Sequence, residues 1–159
     1  MVVRALDFEV ESRLRPWAAG AEAFRHFCRP DLSPHLSPLQ NLLVARARYH
    51  LGKAHWFRVA TSAGPVQAYD YAPAGEPSGR TVLLVHGWTS EAAFMAAFAE
   101  PLRQKGHRVV AFDFPAHGYS PGRRASLMDC ARAIAAVSER LATVDAVIAH
   151  SIGALATLL

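Results

Sequence analysis

Val144-Asp145-Ala146-Val147-Ile148-Ala149-His150-Ser151-Ile152-Gly153-Ala154-Leu155-Ala156-Thr157-Leu158-Leu159 is the stretch that decides how this chain folds. Val144 to Ala149 reads as a buried strand, because apolar side chains run on without alternation. Ala154 to Leu159 is apolar again and reads as the start of a helix. Between them lies small-x-Ser-x-Gly. A serine on a sharp strand-to-helix turn is held out from the backbone with its hydroxyl exposed, the geometry of a nucleophile elbow. Small neighbours are needed there because the helix folds back against the strand. Gly153 supplies one and Ala149 the other. Eight residues follow Ser151.

Working back towards the N-terminus, the same texture repeats. Thr81 to Val85 is a continuous apolar strand, expected where both faces of a sheet are covered. Ser90 to Lys105 reads as a helix stopped by Gly106. Val109 to Phe112 is a second apolar strand. Ser126, with Asp129 three residues on, forms a capping box for a helix reaching about Leu141. Strand-helix units in succession predict an α/β fold with a mostly parallel, doubly wound sheet. His55 to Ala60 and Val66 to Tyr71, separated by Ala63-Gly64-Pro65, predict a β-hairpin ahead of it.

Residues 1–52 differ from the rest. Pro16, Pro30, Pro34 and Pro38 cut them into short pieces. Trp17 to Phe27 suits a short helix. A second helix is expected from Ser37, with Pro38 at its first position, Gln40 completing the cap, and Gly52 as its stop. Leu39, Leu42, Leu43, Ala47 and Leu51 form its apolar stripe. The division is therefore an N-terminal helical extension (1–52) and an α/β domain (53–159). The extension is expected to pack on the main body, with a lid over the site as the alternative.

Bulk properties narrow the function classes. Of 159 residues, 52% are hydrophobic and 19% charged, which suits a globular core and not a disordered chain. The net charge of +4 comes without a basic run interleaved with aromatics, so a nucleic-acid partner is not expected. No stretch approaches the roughly 18 apolar residues of a membrane span, and the charged N-terminus lacks a signal-peptide core. A cytoplasmic protein without a membrane partner is expected. Cys28 and Cys130 match no metal-ligand spacing and read as buried free thiols. No metal or other cofactor is implied.

Ligands of a doubly wound sheet bind beyond the carboxyl ends of its strands. Three unusual turns fall on that rim: His86-Gly87-Trp88, Asp113-Phe114-Pro115-Ala116-His117-Gly118-Tyr119-Ser120, and the Ser151 turn. A serine attacking a carbonyl needs donors for the oxyanion it creates. The N–H groups of Ile152 and Trp88 are the candidates, and Gly87 lets the backbone approach. His86 reads as a structural residue packed beneath its loop. His117, helped by Asp113 and Gly118, reads as a brace for the second turn. His150 is set aside as a base, because neighbours along a strand point to opposite faces.

These three turns, in this order, resemble those of the α/β-hydrolase superfamily. The second resembles its Asp-x-Pro-Gly-His-Gly-x-Ser turn with Ala116 in place of a glycine. The third resembles its Gly-His-Ser-x-Gly elbow with Ala149 as a second departure. The resemblance covers residues 55 to 159. It implies carboxylic-ester hydrolysis through an acyl-enzyme on Ser151, with a small-molecule ester or acyl substrate. It argues against the dehalogenase and epoxide-hydrolase branches, which place an aspartate at the serine position. It also implies a catalytic acid and histidine after later strands. The chain is therefore expected to be the N-terminal half of such a fold and nearly inactive alone. Two other readings remain. One is a non-enzymatic binding or interaction protein of the superfamily. The other is a half-domain that self-associates through the exposed edge of its sheet.

Overall fold

A computed structural model describes Arg13, residues 15–30 and residues 37–159. Two helices come first, α1 (Pro16–Phe27) and α2 (Pro38–Leu51). A hairpin follows, β1 (His55–Val59) and β2 (Val66–Tyr71), paired antiparallel with His55 opposite Asp70 and Val59 opposite Val66. Then come β3 (Thr81–Val85), a 3-10 helix (Ala92–Phe98), α3 (Ala99–Gln104), β4 (Arg108–Phe112), α4 (Leu127–Leu141), β5 (Ala146–Ala149) and α5 (Ile152–Thr157). The sheet order is β1-β2-β4-β3-β5. β3 lies parallel to both β4 and β5, whereas β2 runs antiparallel to β4. The expected α/β sheet is thus present, with the hairpin joined to its flank.

Alternation along the central strands builds two cores. Leu83, Val85, Val110 and Phe112 face α4, meeting Cys130, Ala133, Ile134 and Val137. Val82, Leu84, Val109 and Ala111 face the other way, against the 3-10 helix (Ala92, Ala93, Met95, Ala96), Ala99 and Leu51. All eight strand residues are buried, which explains their unbroken apolar sequence. Each of the Val, Leu and Phe side chains among them contributes about 1.5–3 kcal/mol by leaving water.

The capping box of α4 forms as expected. Ser126 Oγ accepts from the Asp129 N–H at 3.2 Å, and Asp129 Oδ2 accepts from the Ser126 N–H at 3.0 Å. Three expectations need correction. Ser90 to Lys105 is not one helix but a 3-10 turn followed by the short α3. Pro101 explains the break: it has no N–H to donate four residues back, so it suits only a first turn, and α3 restarts just before it. β5 begins at Ala146 rather than Val144, because the Asp145 carboxylate turns aside to accept the Thr81 N–H at 2.7 Å. The stripe of α2 is only half used. Leu51 is buried and Ala47 packs beside it, but Leu39, Leu42 and Leu43 stay exposed. The Gln40 side chain, part of the expected cap, lies outside the described residues. Cys28 and Cys130 are buried and unbridged, and burial raises the Cys130 thiol to about 12.

Candidate active site

Ser151 stands between β5 and α5 with φ 54° and ψ −126°. A non-glycine residue reaches positive φ only where surrounding structure enforces it. Two glycines show what enforces it. A Cβ on Gly153 would collide with the His86 carbonyl oxygen and lie 2.9 Å from Val85 Cγ1, so α5 presses directly on the end of β3. A Cβ on Gly87 would lie 2.8 Å from His150 Nδ1 and 3.1 Å from Ser151 Cβ. The loop at 86–88 therefore shares the rim with Ser151. The His150 N–H donates to the Val85 carbonyl at 3.0 Å and fixes the approach.

The Ser151 residue is exposed and caps nothing with its hydroxyl. The first amides of α5 already inside the helix are used: Gly153 N–H donates to His150 O and Ala154 N–H to Ser151 O. Among the described residues no acceptor takes the amides of Ile152 or Trp88.

The histidines form a reciprocal clasp between the first two turns. His86 Nε2 accepts the Phe114 N–H at 2.9 Å, which puts its proton on Nδ1, 2.7 Å from the Gly87 carbonyl. His117 Nε2 accepts the Thr89 N–H at 3.3 Å, and its Nδ1 faces the Pro115 carbonyl at 2.9 Å. Each loop thus lends a ring to the other's backbone. Both rings are buried. Burial disfavours their charged forms, lowering His86 to about 3 and His117 below its ordinary value. With both nitrogens of both rings engaged, neither can serve as a base. His150 is exposed, with its ring edge against Gly87, beside Ser151. Among the described residues nothing hydrogen-bonds the Ser151 hydroxyl.

Asp113 is the hub of the second turn. Its carboxylate accepts from Tyr69 Oη at 2.6 Å, the Ala92 N–H at 2.7 Å and the Tyr119 N–H at 2.9 Å. Burial raises its pKa above the usual carboxylate range, against the pull of those donors. Gly118, at φ 49°, leaves no room for a Cβ beside that carboxylate. Ser120 Oγ accepts the Gln67 N–H at 2.8 Å and donates to the Asp113 carbonyl at 2.7 Å, tying the turn to β2. Ala116, which stands where the resembling motif has glycine, adopts φ 62°. The sequence did not reveal Tyr69, Thr89 or Ser120 as partners. Their bonds span 28 to 53 positions and leave no local pattern.

The N-terminal helices reach the same rim. Phe27 stacks on Trp88 with centroids 5.2 Å apart and planes at 7°, while His117 meets the Trp88 ring edge-on at 4.9 Å. Arg48 of α2 grips Glu91 through two bonds of 2.8 Å and lies over the Tyr119 ring at 5.7 Å. Among the described residues no cluster of His, Cys, Asp and Glu could hold a metal ion, and no helix is long and apolar enough to cross a membrane.

Comparison with known proteins agrees with this fold. The sequence model described as the alpha/beta hydrolase family matches residues 82–159. An α/β serine hydrolase without a lid, from Xanthomonas campestris, is similar with a TM-score of 0.57 and 21% identity, over 67% of this chain and 54% of that one. A Pyrococcus furiosus esterase is similar with a TM-score of 0.58 and 23% identity, over 80% of this chain and 50% of that one. A Streptomyces epoxide hydrolase is similar with a TM-score of 0.53 and 25% identity, over 67% of this chain and 34% of that one. The aligned part of this chain spans about half of the first two structures or less of the third. None of the curated proteins compared matches the sequence.

Proposed function

The chain belongs to the α/β-hydrolase superfamily, and on that premise we propose that it is a serine hydrolase acting on carboxylic esters. The observation that carries the reading is the positive φ of Ser151, held between Gly87 and Gly153. A serine used only to cap a helix would bond the next turn, and this one does not. An aspartate at this position would fit the epoxide-hydrolase neighbours, and the chain has serine there instead.

In the proposed reaction Ser151 Oγ attacks the ester carbonyl carbon and loses its proton to a base. The carbonyl oxygen becomes an oxyanion held by the amides of Trp88 and Ile152. Collapse expels the alcohol, which takes up that proton, and leaves an acyl-enzyme. Water then attacks the acyl carbon, releasing the carboxylic acid and restoring the serine. His86 and His117 keep the first oxyanion amide in place by locking its loop.

None of the described side chains is poised as the base. The 159-residue chain should therefore hydrolyse esters at no more than a residual rate, about 10³–10⁴-fold over water where oxyanion contacts and binding act alone. The test is p-nitrophenyl acetate turnover and fluorophosphonate labelling, with Ser151→Ala as comparison. Slow labelling confined to Ser151, lost in the variant, is the expected result. Turnover unchanged by Ser151→Ala would end the proposal and favour a non-enzymatic binding role.

A further inference from the structure

Beside α1 lies a cleft of about 200 Å³ lined by Glu22, Arg25, His26, Arg29 and Arg124. One backbone bond explains why its arginines converge. The Ala125 N–H donates to the Cys28 carbonyl at 2.8 Å, and both residues are buried. Arg29 follows Cys28, and Arg124 precedes Ala125. The bond therefore anchors the backbone beside both arginines, and both line the cleft.

The local charge is unbalanced. Among the described residues Glu22 is the one acid lining the cleft, and it is already engaged by Arg25 and, at 3.1 Å, by His26 Nε2. Among the described residues Arg29 and Arg124 have no carboxylate partner. Two cations held together without a counter-charge repel each other, and a doubly charged anion between them removes that cost. Guanidinium forks match the oxygens of a tetrahedral oxyanion, two bonds to each.

We propose that this cleft binds a phosphate monoester, with Arg29 and Arg124 holding the phosphoryl oxygens and Glu22 steadying Arg25 at its wall. The ligand would sit close to the rim, because Phe27 lies between His26 and Cys28 and stacks on Trp88. Binding is measured without turnover, so the proposal stands or falls separately from the role assigned to Ser151.

The experiment is titration of the full chain with inorganic phosphate and with glycerol 3-phosphate, against sodium chloride at equal ionic strength. The readouts are calorimetry and thermal stability. Saturable binding is expected, weakened roughly tenfold by Arg29→Gln and by Arg124→Gln, the loss of one charge-assisted contact each. Arg140→Gln, on exposed α4 surface, should leave it unchanged. Phosphatidylcholine vesicles with and without phosphatidic acid separate the sources of the phosphoryl group. Arginine-dependent pelleting with phosphatidic acid assigns a lipid headgroup. A response to glycerol 3-phosphate without pelleting assigns a soluble monoester. Both variants are at exposed positions, and circular dichroism checks their folding. No saturable response beyond sodium chloride from any probe, or equal affinity in both folded variants, overturns the proposal.

Discussion

Ser151 is held in a backbone conformation that costs free energy, and the molecule keeps it because neighbours leave no alternative. Ser151→Gly should therefore raise stability by about 0.5–1 kcal/mol in urea denaturation while removing any ester turnover. Gly153→Ala should act the other way. Its new methyl meets the His86 carbonyl and Val85, and the cost should be about 1–3 kcal/mol in the same measurement. Asp113→Asn turns one acceptor oxygen into a donor facing other donors. A loss of about 1–3 kcal/mol is expected, from the buried partners left unpaired among Tyr69, Ala92 and Tyr119. At this scale the sequence was partly legible. Ser151, Gly153 and Gly87 are marked by a steric demand that only small or special residues meet. Tyr69 and Thr89 are not marked, because what they do depends on which strand or loop lies opposite.

Elements were legible where their physics is local. The Ser126–Asp129 box needs only four residues, so the start of α4 could be read directly. β3 and β4 announce themselves by burial on both faces. The 3-10 helix did not, because its Ala/Phe/Met run has the composition of an ordinary helix and Pro101 acts only by geometry. The Asp113 carboxylate also takes the Ala92 N–H at the entrance of that turn, a bond set 21 positions away. The docking of α2 rests on the Arg48–Glu91 pair. Glu91 is 7% exposed, so Arg48→Ala would strand a nearly buried charge. We expect a loss of about 1–3 kcal/mol in thermal or urea unfolding, reduced by the solvent that reaches Arg48, and largely recovered in the Arg48→Ala/Glu91→Gln double variant.

For the whole molecule, strand pairing order lay beyond the sequence. Nothing local says that β2 should join β4 rather than β3, although the hairpin and the parallel units were each plain. Two consequences belong to this scale. The first concerns acid. An unfolded chain charges its histidines near pH 6.5, whereas His86 and His117 resist charging when folded. Stability should be fully present above that pH. As pH falls from about 6.5 towards 3, it should drop by up to about 1.4 kcal/mol per pH unit for each ring still neutral in the fold. Asp113, raised by burial, acts oppositely at lower pH. Urea midpoints between pH 8 and 4 check the slope, and His86→Gln should flatten it. The second concerns the sheet margin. Among the described residues β5 has β3 as its single neighbour, and Val147 is exposed. We expect the chain to self-associate through β5 with rising concentration in light scattering, and Val147→Lys to suppress it.

The face-to-face contact of Phe27 with Trp88 joins a segment far ahead in sequence to the amide expected to greet an oxyanion. Trimming or retuning α1 should thus be felt first as altered chemistry and only later as lost structure. If Ser151 acts as proposed, an appendage set on this sheet would become, through two rings, a handle on reactivity.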